Sequence, residues 1–227
     1  MNVKTFTLSA LILIITSACS GTYQAYYQTL KIAFSDQNDA MLTLVEVQQS
    51  NIDVILVKRG ERPSVIMALA YIENGHHKWV SNDNAMFVMD KGRLLRTIGL
   101  NENLLYSSST DTDPLKSLPH STDILQQQTW TRIVDQTGDG YGYPIESTFS
   151  AAVKDSVQTL NLNIEAVLHV ETLNYRVPTN YIRLNKSWKN YYWYAKSGKL
   201  IKSIQITSPL SEALEITYLS RIARLNQ

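Results

Sequence analysis

A chain of 227 residues has room for one large domain or two small ones. Its 44% hydrophobic and 18% charged residues exclude intrinsic disorder as the general state, and a net charge of +1 without a basic stripe argues against nucleic acid as a partner. Lys4 is the one charge before residue 19, so the remainder balances to zero.

The first eighteen residues, MNVKTFTLSALILIITSA, carry Lys4, an apolar stretch from Phe6 to Ile15, and small residues at Thr16-Ser17-Ala18. That apolar stretch is too short to span a bilayer, which takes about twenty residues, and the pattern predicts a cleaved secretory signal. Cys19 is the only cysteine, so no disulfide can form within the chain. Thr16-Ser17-Ala18-Cys19 resembles a bacterial lipobox, with Thr16 where Leu is usual. The resemblance implies lipidation of Cys19, with palmitate-type acyl chains each adding about 0.8 kcal/mol per buried methylene. Ser20, in place of Asp, then implies the outer membrane, with the body facing the periplasm. The expected organisation is a signal peptide over 1–18, a lipidated tether over 19–22 and a single mainly-β domain over 23–227.

Along the body, Tyr23, Tyr26, Tyr27, Leu30 and Phe34 follow a helical period, and a second short helix is expected from near Ala40. From Ile52 onward short apolar or alternating runs, IDVILV, SVIMALAYI, HKWV, AMFVMD and LLRTIGL, are separated by turn signals at about ten-residue spacing. Asn74-Gly75 is the sharpest of these, since both residues tolerate the positive φ of a tight hairpin. Residues 101–128 are polar, lack a period, and predict a long connection with at most one helical turn. Strands are expected to resume at TWTRIVD and to continue through YPIESTFSAAV, LNIEAVLHVETLNY, YIRLNKSW, NYYWYA, KLIKSIQIT and ALEITYLSRIAR. The fold class is mainly β: a large antiparallel meander sheet folded on itself, barrel- or sandwich-like, with an N-terminal helix.

Asp135 to Glu146, DQTGDGYGYPIE, counts like an EF-hand calcium loop, with Asp135 first, Asp139 fifth, Gly140 sixth and Glu146 twelfth. The loop also needs a helix on either side, whereas TWTRIV and STFSAAV favour strands. Gly142 stands where an apolar residue is usual, and Pro144 interrupts the exit. A glycine-bearing β-turn explains the same letters. The adjacent His76 and His77 face opposite sides of a strand, and His120 and His169 are remote, so no metal and no cofactor is expected. No nucleophile elbow occurs. Asp111 and Asp113 form a candidate acid pair of the kind that cleaves glycosides, but Asp-Pro is also turn chemistry. No catalytic residue is assigned. The aromatic run SWKNYYWYA must place some rings on each face of a strand. Trp188 and Trp193, with Tyr141 and Tyr143 of the glycine-rich stretch, are candidate glycan or partner contacts, against the plainer reading of core and cross-strand pairs.

The C-terminal third, NYYWYAKSGKLIKSIQITSPLSEALEITYLSR, resembles the YjbF-type lipoprotein family, GfcB-like and known from group 4 capsule operons. The likeness rests on the aromatic strand, the turn at Gly198, Ile201-Lys202-Ser203-Ile204-Gln205, Pro209 and the strand EITYL. It extends upstream to WTRIVD, YGY and the hairpins around Trp79 and Gly92. It implies a lipid-anchored, mainly-β periplasmic protein that works beside exopolysaccharide export proteins or the polysaccharide, without catalytic residues. Three expectations stand in order: a non-enzymatic accessory factor, as the resemblance implies; a glycan-binding module; and a hydrolase using Asp111, Asp113 or Asp139.

Overall fold

The computed structural model of the chain describes residues 39–108, 110–117, 129–138, 140–176 and 187–226. The helix expected over Tyr23–Phe34, the cysteine Cys19, His120, Asp139 and most of the YIRLNKSW run lie outside these residues.

Among the described residues thirteen strands run in chain order: β1 (Val54–Arg59), β2 (Val65–Glu73), β3 (His76–Ser81), β4 (Met86–Asp90), β5 (Arg93–Ile98), β6 (Leu104–Ser107), β7 (Trp130–Gln136), β8 (Gly140–Phe149), β9 (Val153–Thr159), β10 (Leu162–Tyr175), β11 (Ser187–Ala195), β12 (Leu200–Gln205) and β13 (Leu214–Thr217). In the same described residues two short α-helices, α1 (Leu44–Gln49) and α2 (Leu219–Ala223), flank them. The sheet is antiparallel, in the order β5-β4-β3-β2-β1-β13-β12-β11-β10-β8-β7-β6, with β9 paired to β10 beside this path. Two meanders are therefore zipped together where β1 meets β13, with Leu56 opposite Thr217 and Arg59 opposite Leu214. The far ends, β5 and β6, return beside each other and nearly close a barrel. Side chains stitch that seam: the Leu104 amide donates to Thr97 Oγ1 at 2.9 Å, and Asn103 Nδ2 donates to the Leu100 carbonyl at 2.8 Å. Near-closure leaves little free edge for pairing with other chains.

Period-2 alternation decides what fills the barrel. On β11, Trp188, Asn190, Tyr192 and Tyr194 are buried while Ser187 and Lys189 are exposed. On β7, Trp130, Arg132, Val134 and Gln136 are buried. The interior cluster joins Ile55, Trp79, Phe87, Leu173, Tyr192 and Ile216. The outer face near β1 and β12 is covered by the helices. Val47 of α1 packs with Val54, Leu219 and Ala223, and Ile222 of α2 packs with Val157, Ala195 and Ile201. Strand β1 is thus buried on both faces, which explains its continuous apolar text. A capping box starts α1: the Glu46 amide donates to Thr43 Oγ1, and the Glu46 carboxylate accepts from the Thr43 amide at 2.7 Å.

Three sequence expectations change. ALEITYLSRIAR is a strand only to Thr217; α2 then begins, and Leu219, Ile222 and Ala223 bury a helical face. The polar VKDSVQT is a strand, held against β10 by the Leu160-Asn161 turn, where both φ values are positive without glycine. The connection after residue 101 contains β6 and two 3-10 turns, Thr110–Thr112 and Pro114–Lys116. The Asn74-Gly75 turn takes φ of 52° and 81°, as a two-residue hairpin requires.

Candidate functional site

The stretch that counts like a calcium loop is a β-hairpin between β7 and β8, with Thr131 opposite Glu146. The Asp135 carboxylate accepts the Gly142 amide at 2.7 Å, a turn contact. Tyr141 is 74% exposed at this hairpin. Tyr143 lies against Tyr175, ring centres 5.4 Å apart. Trp188 points into the barrel, 7% exposed; its indole N–H donates to the Ile206 carbonyl at 2.8 Å, and Tyr175 tilts against its ring at 5.1 Å. Its inward register position leaves the ring no open face for a sugar. Trp193 faces outward, stacked on Tyr191 at 6.0 Å, with its N–H on Asp155 at 2.7 Å. Strand alternation therefore separates Trp188 from Trp193, and the four aromatics do not share one platform.

Asp111 and Asp113 also part. Asp111 is exposed, while Asp113 is buried and caps the Pro114–Lys116 turn. Asp113 takes the Arg93 guanidinium in two bonds of 2.8 and 2.9 Å. The same guanidinium donates to Glu171 Oε2 at 2.5 Å and to the Tyr192 hydroxyl at 2.8 Å. Arg132 donates to Glu171 Oε1 at 3.3 Å, and Asn190 and the Tyr192 hydroxyl add bonds to Glu171 Oε2 at 3.3 and 3.1 Å. Trp130 lies between the cations, its ring centre 4.8 Å from the Arg93 guanidinium and 4.6 Å from that of Arg132. Two arginines and two carboxylates balance inside the barrel. The hint in the sequence was a charge on the inward phase of an apolar run: Glu171 shares its face with His169 and Leu173.

Burial works to raise the Glu171 carboxyl, but Arg93 and Arg132 overcome it and hold the group at about 2, against an ordinary 4.5. A group held that low cannot serve as a general acid near neutrality. Its ion pairing contributes stability in full above pH 4.5, and that contribution is lost as pH falls toward 2, where the unfolded chain binds the proton first. Thermal melts of the wild-type chain and of Glu171→Gln should therefore differ most at neutral pH and converge near pH 2; a constant gap across this range would contradict the assignment.

At one end of the barrel the turns Asn74-Gly75, Lys91-Gly92 and Lys196–Lys199 meet the Pro114–Lys116 turn and α2 around a cleft of about 410 Å3. Trp79, Tyr194 and Tyr218 form its aromatic floor, with Trp79 edge-on to Tyr218 at 6.2 Å. The lining includes Lys91, Lys116, Lys199, Arg221 and Arg224 and no Asp or Glu. Lys116 is tied to Asp90 at 2.9 Å, and Arg224 grips Asp53 with bonds of 2.7 and 3.1 Å. Arg221 lies over the Tyr218 ring at 4.0 Å and donates to the Leu200 carbonyl. His77, also in the lining, is pushed down first by burial and then by Arg221 and Lys91. No three His, Cys, Asp or Glu side chains converge as metal ligands among the described residues.

The sequence model of one family, described as group 4 capsule polysaccharide lipoprotein GfcB, YjbF, matches residues 27–219. The chain belongs to the GfcB/YjbF lipoprotein family. Within that family the lipoprotein GfcB of Escherichia coli is 27% identical over 206 residues, covering 89% of this chain and 92% of the relative. The lipoprotein YjbF of the same organism is 26% identical over 196 residues, covering 86% and 88%. The crystal structure of the Escherichia coli lipoprotein YmcC superposes with a TM-score of 0.69 at 27% identity, covering 84% of this chain and 93% of that one. The GfcB/YjbF match spans both meanders, the buried charge network and most of the cleft. These relatives are named as lipoproteins of a capsule-related family, and their names carry no reaction.

Proposed function

We propose that the chain is a non-enzymatic accessory lipoprotein for the secretion or assembly of a capsule or exopolysaccharide. Acylated Cys19 would hold the barrel at the inner leaflet of the outer membrane, facing the periplasm. The observation that carries this reading is the family match over residues 27–219, joined to the lipobox-like segment ahead of it. The geometry supports placement over chemistry. The buried carboxylates Asp113 and Glu171 are both occupied by Arg93, and Asp111 lies apart from them on the surface. Tethering raises the effective concentration of the barrel near export proteins without any new contact.

Replacing Cys19 with Ser is expected to release the chain from the membrane fraction and to lower surface polysaccharide to the level of a strain lacking the protein. Fractionation with quantified polysaccharide checks this. Membrane retention together with normal output would remove the anchoring claim.

A second reading, a glycan-binding module, is favoured by the cationic aromatic cleft. Outside the cleft, Tyr141 and Trp193 remain as candidate aromatic contacts on the outer surface, with Tyr143 beside the first. Tryptophan fluorescence during titration with the host polysaccharide separates the two readings, since a purely scaffolding protein shows no saturable change.

A further inference from the structure

The cleft at the barrel mouth has two features that packing alone does not explain. The first is charge. Five basic side chains line it, and among the described residues Lys91, Lys199 and Arg221 form no ion pair within 4 Å, while the nearby Asp53 and Asp90 are engaged by Arg224 and Lys116, Asp53 also feeling the Arg221 charge. Like charges gathered around a concave, partly apolar wall repel one another and raise the local potential; an arriving anion relieves both. The second is a pair of orphan donors. Trp79 Nε1 and the Tyr194 hydroxyl are buried and have no hydrogen-bond partner, and both side chains line this cleft. Trp79 is 2% exposed and Tyr194 is 4% exposed. A buried polar group without a partner carries an uncompensated desolvation cost, which a ligand oxygen would remove. The volume falls within the about 300–1,000 Å3 of small-molecule sites.

We propose that this cleft binds an acidic sugar unit of a polysaccharide, its carboxylate among Lys91, Lys199 and Arg221 and its ring oxygens facing Trp79 and Tyr194. The choice of a saccharide among anions rests on the capsule-polysaccharide reading above; the anion site itself rests on the cations and the orphan donors. The Arg221 guanidinium over Tyr218 is held ready for a carboxylate by its bond to the Leu200 carbonyl. The site shares no residue with the Arg93–Asp113–Glu171 network, so it can be altered without opening the buried ion pairs.

Calorimetry on the full chain in detergent, with trigalacturonate, maltotriose and inorganic phosphate as separate probes, tests the proposal. Trigalacturonate is expected to bind and to weaken as salt rises, while maltotriose at the same length does not bind. The double variant Lys91→Asn with Lys199→Glu should weaken binding tenfold or more with an unchanged melting temperature. Tyr194→Phe removes one orphan donor while keeping the ring in place. It should weaken binding while leaving the melting temperature equal or higher, an outcome that a merely structural role does not give. Equal affinity for both trisaccharides, binding by neither, or phosphate binding as tightly as trigalacturonate would overturn the saccharide assignment. Polysaccharide output in the same variants keeps the two claims apart. Lost binding with normal output upholds the site and leaves the export reading resting on Cys19 alone. Absent binding in the wild type, with output still dependent on Cys19, removes the site and leaves the export reading.

Discussion

Glu171→Gln is expected to destabilise the chain by about 3–5 kcal/mol, because it leaves Arg93 and Arg132 with a single carboxylate in a dry interior. Glu171 is fully buried and receives bonds from both arginines, Asn190 and Tyr192, so removing its charge strands several donors at once. Replacing the ion-paired set together by apolar residues of similar volume is expected to cost far less, since the desolvation of all members disappears with them. Denaturant unfolding of Glu171→Gln, Arg132→Met and the double variant gives the coupling directly. If the two single changes simply add and each costs below about 1 kcal/mol, the network does not hold the barrel centre.

Gly92→Ala should be the second most damaging of the changes considered, at about 2–4 kcal/mol, combining a strained positive φ with overpacking. Gly92 has φ of 97°, and an added Cβ would lie 2.1 Å from Leu200 Cδ2, itself buried. Gly75 is the matched control: its φ is 81°, but a Cβ there meets nothing within 4 Å. Gly75→Ala should therefore carry the backbone strain alone and cost clearly less. Equal melting temperatures for the two variants would show that the Gly92–Leu200 contact is not tight. Because Leu200 borders the cleft, Gly92→Ala should also narrow it.

Much of the barrel was legible because period-2 alternation and turn residues are local signals. Asn74-Gly75 marked its hairpin, and TWTRIVD marked the strand whose Trp130 and Arg132 face inward. The Leu160-Asn161 turn was not legible, because Asn161 tolerates a positive φ but Leu160 before it does not advertise one, and tertiary pairing of β9 with β10 imposes it. The helix α2 was hidden because five residues following a strand carry too little periodicity to declare a change of period. The aromatic run was correctly placed on a strand, but alternation divides its rings between two faces. The charge network, beyond the inward-facing Glu171, was hidden for a different reason. Arg93, Asp113, Arg132 and Glu171 lie far apart in the chain, and each is a residue type that composition alone places on the surface. The cleft gathers residues from five separate turns and helices and left no motif.

Mass spectrometry of the N-terminal peptide from membrane-purified protein tests the claim that position, not reactivity, does the work. A peptide beginning at Cys19 and bearing acyl chains, recovered with the outer membrane, is the predicted result. An unmodified chain recovered from the soluble fraction would contradict it.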